Sequence, residues 1–316
     1  MMEQIKQHSG FVEVNRIRLH YVEAGAGPAV IFCHGFPELW LSWRHQIPAL
    51  AAAGYRPIAL DMRGHGSSDA PERIEDYSVL HTVGDVIGLM DALAIDHAVI
   101  VGHDAGTTTA YHAALMRPDR VRGVVGLSVP YLPRGDRSLI GALRAAVPPG
   151  FYILFFQEPG VAERDLDADP RETLKRLFYA NSGDYAEAPI MMIVPEGGSL
   201  LGSLPTPPGP ISFVPDAVLQ SYAESYARTG FRGGLNGYRV FDLNWALTAP
   251  WHGMALPVPA AFIGGTVDTV LHFPGFREAA ERMGDVTLLE GAGHWIHAEQ
   301  PEAVNAALLR FLSACL

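Results

Sequence analysis

Short, almost uninterrupted apolar runs, separated by stretches of helical pattern, constrain this chain more than any other feature. They are Ala29-Val30-Ile31-Phe32-Cys33, Pro57-Ile58-Ala59-Leu60, Ala98-Val99-Ile100-Val101, Gly123-Val124-Val125-Gly126-Leu127, Ala260-Ala261-Phe262-Ile263 and Val286-Thr287-Leu288-Leu289. A strand with no polar face must be covered on both sides, as parallel strands between two layers of helix are. Helical stretches at Trp43 to Ala53, Val79 to Ala94, Thr108 to Arg117, around Arg277 and at Pro301 to Leu312 supply those layers. Ahead of them, Phe11 to Val14 and Ile17 to Tyr21 alternate across Asn15-Arg16 and read as an antiparallel hairpin. The expectation is an α/β chain with a mostly parallel sheet and helices on both faces.

From about Tyr131 to Trp245 the alternation stops. Helical stretches (Leu139 to Ala146, Arg171 to Ala180, Asp216 to Thr229) and a Pro- and Gly-rich loop from Pro195 to Pro215 take its place. We expect an inserted helical cap at 131–245, between a first core part at 1–130 and a second at 246–316. The composition, 48% apolar and 18% charged, is that of a globular chain. Net charge is −11, and the basic residues are scattered, so neither nucleic acid nor an anionic membrane is an expected partner. The two cysteines, Cys33 and Cys315, have no ligand or disulfide spacing. The opening residues lack a basic stretch leading into an apolar one, so the expected location is cytoplasmic. The sequence leaves the oligomeric state open, a homodimer included.

Three polar residues fall on loops after these strands, along the carboxyl edge where open α/β sheets place their sites. Asp104 lies in Val101-Gly102-His103-Asp104-Ala105-Gly106, Asp268 in Gly264-Gly265-Thr266-Val267-Asp268, and His294 in Gly291-Ala292-Gly293-His294-Trp295. Gly-x-nucleophile-x-Gly on a strand-to-helix turn, followed along the chain by an acid and a histidine, is the α/β-hydrolase arrangement. Taken singly, Asp104 is a helix cap, Asp268 a turn residue and His294 a structural histidine. Their shared order at strand ends favours a site. His34-Gly35-Phe36-Pro37 follows the first apolar strand and reads either as a tight turn or as half of an oxyanion hole. In the second case the donors are the backbone N–H groups of Phe36 and Ala105. His103 and His297 are expected in structural roles, His297 facing the closing helix.

An aspartate at the centre of this motif decides the chemistry. Attack on an acyl carbon would make a high-energy anhydride, whereas attack on an sp³ carbon bearing a leaving group makes an ordinary ester. Water then cleaves that ester at the aspartyl carbon, where the oxyanion hole serves. Epoxides and alkyl halides are the candidate electrophiles. Neither a cofactor nor a metal is expected; the expected partners are a small apolar substrate and water.

The chain resembles the soluble epoxide hydrolases of the α/β-hydrolase superfamily from about Phe11 to Phe311. The resemblance is carried by His34-Gly35-Phe36-Pro37-Glu38, Gly102-His103-Asp104 and Gly293-His294-Trp295. Two cap segments add to it: Phe155-Phe156-Gln157-Glu158-Pro159-Gly160, and Gly230 to Arg239. It implies that Tyr152 and Tyr238 hold the epoxide oxygen, as two cap tyrosines do in that family. It also marks a departure, because the residue after the nucleophile is often Trp there and is Ala105 here. That departure removes an indole donor on which haloalkane dehalogenases, the alternative on this scaffold, would rely. Thr107, Thr108 and Thr109 offer no charge of the kind a fluoroacetate dehalogenase needs. A non-catalytic binding member of the superfamily is the third reading.

Overall fold

A computed structural model describes residues 6–185 and 187–316. Its sheet has eight strands: β1 (Gln7–Val14), β2 (Ile17–Ala24), β3 (Ala29–Cys33), β4 (Arg56–Leu60), β5 (Ala98–His103), β6 (Val121–Leu127), β7 (Ala260–Gly265) and β8 (Asp285–Leu289), in the order β1-β2-β4-β3-β5-β6-β7-β8. β1 pairs antiparallel with β2, and β2 with β4; every later pairing is parallel. The hairpin turn is Asn15-Arg16, both at positive φ (48° and 64°). That conformation matches the twist of the strands it joins.

The strands without a polar face are the central ones. All residues of β3 and β5 are buried, and their side chains feed two apolar clusters, one on each face of the sheet. The helical reading from Trp43 to Ala53 resolves into a 3₁₀ turn, Trp40–Trp43, and a helix, Gln46–Ala52. Pro48 explains the break, since it has no N–H to continue a ladder from Arg44 but is tolerated in a first helical turn.

Between β6 and β7 lie the helices Leu139–Ala146, Tyr152–Phe155, Val161–Leu166, Pro170–Ala180, Leu200–Ser203, Asp216–Thr229, Arg232–Arg239 and Phe241–Leu247. A third apolar cluster joins this segment to the sheet: Phe156, Phe178, Tyr222 and Phe231 pack with Phe36, Leu39 and Trp295 from the strand-end loops. The segment therefore sits over the carboxyl edge, where the expected site lies. Among the described residues, no helix is long and apolar enough to cross a membrane. Cys33 and Cys315 are both free.

Candidate active site

The elbow is built by steric exclusion. The helix Ala105–Met116 starts directly after Asp104, three residues earlier than its apolar pattern suggested. A Cβ on Gly102 would lie 2.6 Å from the Gly106 carbonyl oxygen, and one on Gly106 would lie 2.1 Å from the Cys33 carbonyl oxygen. Both positions admit only glycine. Asp104 between them has φ 48° and ψ −125°. A side chain held in so sparsely populated a region is a strain characteristic of functional sites.

The Phe36 amide donates to Asp104 Oδ2 at 2.9 Å, so half of the expected oxyanion pair is in contact with the carboxylate. The peptide bond between Phe36 and Pro37 is cis. No hydrogen bond joins the Ala105 amide to the carboxylate; that N–H opens the helix, next to the turn. His294 Nε2 lies 3.8 Å from Asp104 Oδ1. On its other side, Nδ1 faces both oxygens of Asp268, at 3.1 and 3.0 Å. Asp268 is itself held by the Val270 amide, 2.9 Å from its Oδ1. The structure thus brings Asp104, His294 and Asp268 into one line of contacts.

Burial opposes a charge on His294, but the Asp268 carboxylate beside Nδ1 and the Asp104 carboxylate beyond Nε2 outweigh it, and its pKa is raised to about 9. The loop that carries it is pinned to the segment between β6 and β7. The His294 amide donates to the Asn181 carbonyl at 2.7 Å, and Glu299 accepts from the amides of Gly183, Gly293 and Trp295.

Asp104 and His294 line a cavity of about 40 Å³ together with Tyr152 and Tyr238, ring centres 6.2 Å apart. Elsewhere in the molecule, the hydroxyls of Tyr77, Tyr111, Tyr131 and Tyr226 each donate to a backbone carbonyl, and that of Tyr222 pairs with Ser42. Those of Tyr152 and Tyr238 have no hydrogen-bond partner among the described residues. The buried Tyr21 hydroxyl has none among the described residues either, so what sets Tyr152 and Tyr238 apart is that they line the same cavity as Asp104. Burial first, and then the Asp104 charge, raise both phenols above their usual value, so they remain protonated donors. Trp295 also lines the cavity, but its indole N–H is spent on the Phe178 carbonyl at 2.9 Å. Neither Arg nor Lys lines it.

Sequence reasoning left one group unassigned. Glu38, fully enclosed, accepts from His103 Nδ1 at 2.5 Å and from the Gly35 amide at 2.9 Å. Its other oxygen lies 3.0 Å from His297 Nε2. His297 is therefore turned toward Glu38 rather than toward the closing helix, and its ring packs on Trp43. Burial lowers the His297 pKa to about 4. Burial alone would raise the Glu38 pKa; the two histidines more than offset it and hold the carboxyl well below its usual range. His103 Nε2 donates to the His294 carbonyl at 2.8 Å, which Ser128 also does. The cluster ties the oxyanion loop, the elbow and the histidine loop together. The signal in the sequence was the glutamate three residues after Gly35, close enough to reach back to that amide.

Residues 28–301 match the family model described as alpha/beta hydrolase fold. The chain is 44% identical over 310 residues to epoxide hydrolase A of Mycobacterium tuberculosis, covering 96% of each. It is 41% identical over 321 residues to epoxide hydrolase 1 of Siraitia grosvenorii, covering 98% of this chain and 99% of the relative. The crystal structure of epoxide hydrolase A from Mycobacterium thermoresistibile superimposes with a TM-score of 0.90 at 43% identity, covering 98% of each chain. Potato (Solanum tuberosum) epoxide hydrolase I superimposes at 0.89 and 35% identity, covering 98% of this chain and all of the other. The chain belongs to the α/β-hydrolase fold family and, within it, to the epoxide hydrolases.

Proposed function

We propose that the chain converts small apolar epoxides to vicinal diols in two covalent steps on Asp104. In the first, the carboxylate attacks a ring carbon while the hydroxyls of Tyr152 and Tyr238 hold the epoxide oxygen. The C–O bond breaks, an ester forms on Asp104, and a phenol gives its proton to the departing alkoxide. In the second, His294 takes a proton from water, which adds to the aspartyl carbon. The developing oxyanion is met by the Phe36 and Ala105 amides; as it collapses, the imidazolium gives its proton to the departing diol oxygen, and the Asp104 carboxylic acid so formed returns a proton to the phenolate. Asp268 holds the His294 tautomer and balances the imidazolium.

The raised His294 pKa fits this order. Part of the rise comes from the Asp104 charge. Alkylation removes that charge and lowers the pKa, so more of the imidazole is in the neutral form that can take a proton from water once there is an ester to hydrolyse.

The observation that carries the proposal is the pair of phenols that line the same cavity as a strained carboxylate. A dehalogenase would need N–H donors for halide, and the only indole at the cavity wall, Trp295, is already engaged. Asp104, Asp268, His294, Tyr152 and Tyr238 are the proposed catalytic side chains, and residues 131–245 act as the cap. A cytoplasmic setting and a chain that works without cofactor or metal belong to the same reading. The test is a panel: diol formation from terminal and internal epoxides, beside halide release from haloalkanes of matched size. Halide release without diol formation would refute it.

A further inference from the structure

Away from the cavity, a serine, a histidine and an aspartate that the mechanism does not use stand in one hydrogen-bonded line. Ser9 lies on β1, His20 on β2 and Asp61 directly after β4. Ser9 Oγ is 2.9 Å from His20 Nε2, and His20 Nδ1 is 2.8 Å from Asp61 Oδ2. A carboxylate can only accept, so Nδ1 carries the hydrogen and Nε2 the lone pair that accepts from the serine hydroxyl. Asp61 is fixed in turn by the amides of Trp40 and Ser67, at 2.9 and 3.0 Å, and the His20 amide donates to Ser68 Oγ at 2.8 Å. Burial alone would raise the Asp61 pKa; the hydrogen bond from His20 leads the effects that lower it below its usual value, so it stays a carboxylate. An acid that orients a base, and a base that holds a hydroxyl hydrogen, are the parts of an activated serine, recognised by geometry rather than by chain order.

The line runs from the interior to the surface. Asp61 and His20 are buried, whereas Ser9 is exposed on the edge strand of the sheet, so the hydroxyl end is the one that meets solvent. Two residues along β1, on the same face of the strand, stands the exposed Phe11, its ring centre 5.0 Å from that of His20. The exposed Arg18 guanidinium lies 3.6 Å above the Phe11 ring. Planar aryl groups stack on guanidinium and on aromatic rings, so the surface beside Ser9 suits an aryl substituent. Because β1 is an edge strand, the backbone N–H groups on its outer side have no strand partner among the described residues and can donate to an oxyanion. A serine that attacks an acyl carbon makes an ordinary ester, where Asp104 would make an anhydride. The two nucleophiles therefore suit different electrophiles.

We propose that Ser9, His20 and Asp61 form a second hydrolytic site, which cleaves small aryl esters by acyl transfer and does not depend on the epoxide chemistry of Asp104. Ser9 Oγ attacks the acyl carbon as His20 Nε2 takes its proton. The bond from the acyl carbon to the aryl oxygen breaks, and the imidazolium gives that proton to the departing phenoxide. Water, its proton taken by His20, then attacks the Ser9 ester; on collapse the proton returns to Ser9 Oγ and the carboxylic acid leaves. The test uses 4-nitrophenyl acetate with the parent, Ser9→Ala and Asp104→Ala. Release of 4-nitrophenol should fall by at least about tenfold in Ser9→Ala, with an unchanged melting temperature, and should persist in Asp104→Ala. An alkyl fluorophosphonate, which halts at the first step, should add one phosphonyl group to the parent, and peptide mapping should place it on Ser9. That labelling needs no variant to fold. Equal 4-nitrophenol release by the parent and Ser9→Ala, or a phosphonyl group absent from Ser9, would overturn the assignment and leave the three residues as a tie between the hairpin and the rest of the sheet.

Discussion

The sheet and the cap contribute to the same cavity by different physical means. On the sheet side, position is set by backbone. Asp104, Phe36 and Asp268 sit on turns after buried strands and His294 on the turn after the half-exposed edge strand β8, and Gly102 and Gly106 fix the elbow because nothing larger fits. On the cap side, Tyr152 and Tyr238 stand on helices of four and eight residues. Helices that short are not stable by themselves. Aromatic edges hold these two: Tyr152 against Phe156, and Tyr238 against Phe36, Phe156 and Phe241. On the proposed mechanism the sheet carries the group that becomes covalently modified and the machinery that releases it. On the same mechanism the cap carries the donors to the leaving oxygen. Damage on the sheet side should stop both half-reactions or the second, and damage on the cap side chiefly the first.

The largest expected effect is on the sheet side. Asp104→Ala should lower diol formation by at least about 10⁴, since no neighbouring group replaces the nucleophile. A steady rate near the parent's, with an unchanged melting temperature, would remove Asp104 from its role. Asp104→Asn is a weaker probe, because water activated by His294 would hydrolyse the amide back to aspartate.

Cap changes should come next and should be selective. Tyr152→Phe with Tyr238→Phe should nearly abolish ring opening, because an unprotonated alkoxide would have to leave. Each single change should cost up to roughly 10²–10³ in the alkylation rate, two donors being partly redundant. Stopped-flow measurement separates this step from ester hydrolysis, which should be little affected. A double variant that opens epoxides at the parent rate would reduce both tyrosines to packing and erase the contrast between cap and sheet.

The smallest expected effect concerns stability. The His294 pKa rises on folding from a usual value of about 6.5 to about 9. A pKa raised on folding adds stability that is whole below about pH 6.5 and is lost as pH climbs through about 9. The buried neutral histidines His65 and His297, lowered to about 3 and about 4, act only below this window, and Cys33, raised to about 12, only above it. Denaturant unfolding of the parent should therefore weaken between pH 6.5 and 9, and His294→Gln should show a flatter profile. Identical slopes would mean that the Asp268 and Asp104 carboxylates do not charge this imidazole.

The same contrast explains what was legible beforehand. The central strands announced themselves because burial on both faces removes polar residues, and the ends of β3, β5, β7 and β8 pointed to Phe36, Asp104, Asp268 and His294; β8, apolar in sequence, is itself a half-exposed edge strand, with Leu288 37% exposed. In the cap, the helices Leu139–Ala146, Pro170–Ala180 and Asp216–Thr229 were readable from composition and periodicity. Tyr152–Phe155 and Arg232–Arg239 were not, since one or two turns carry too little periodicity and three glycines in the second argue against a helix. Tyr152 and Tyr238 came from family resemblance alone. Glu38 with His103 and His297 stayed unread because its contacts join residues 65 and more positions apart.

A covalent ester on Asp104, which the sheet side must hydrolyse, is the central intermediate. His294→Gln should still be alkylated, because Asp104 and both tyrosines are intact, but should not turn over. Intact-mass spectrometry after mixing with an epoxide should show the chain heavier by one substrate. Peptide mapping should place that mass on Asp104, and the parent treated alike should show none at steady state. Full diol turnover by His294→Gln without an adduct, or an adduct on any residue other than Asp104, would contradict the two-step scheme.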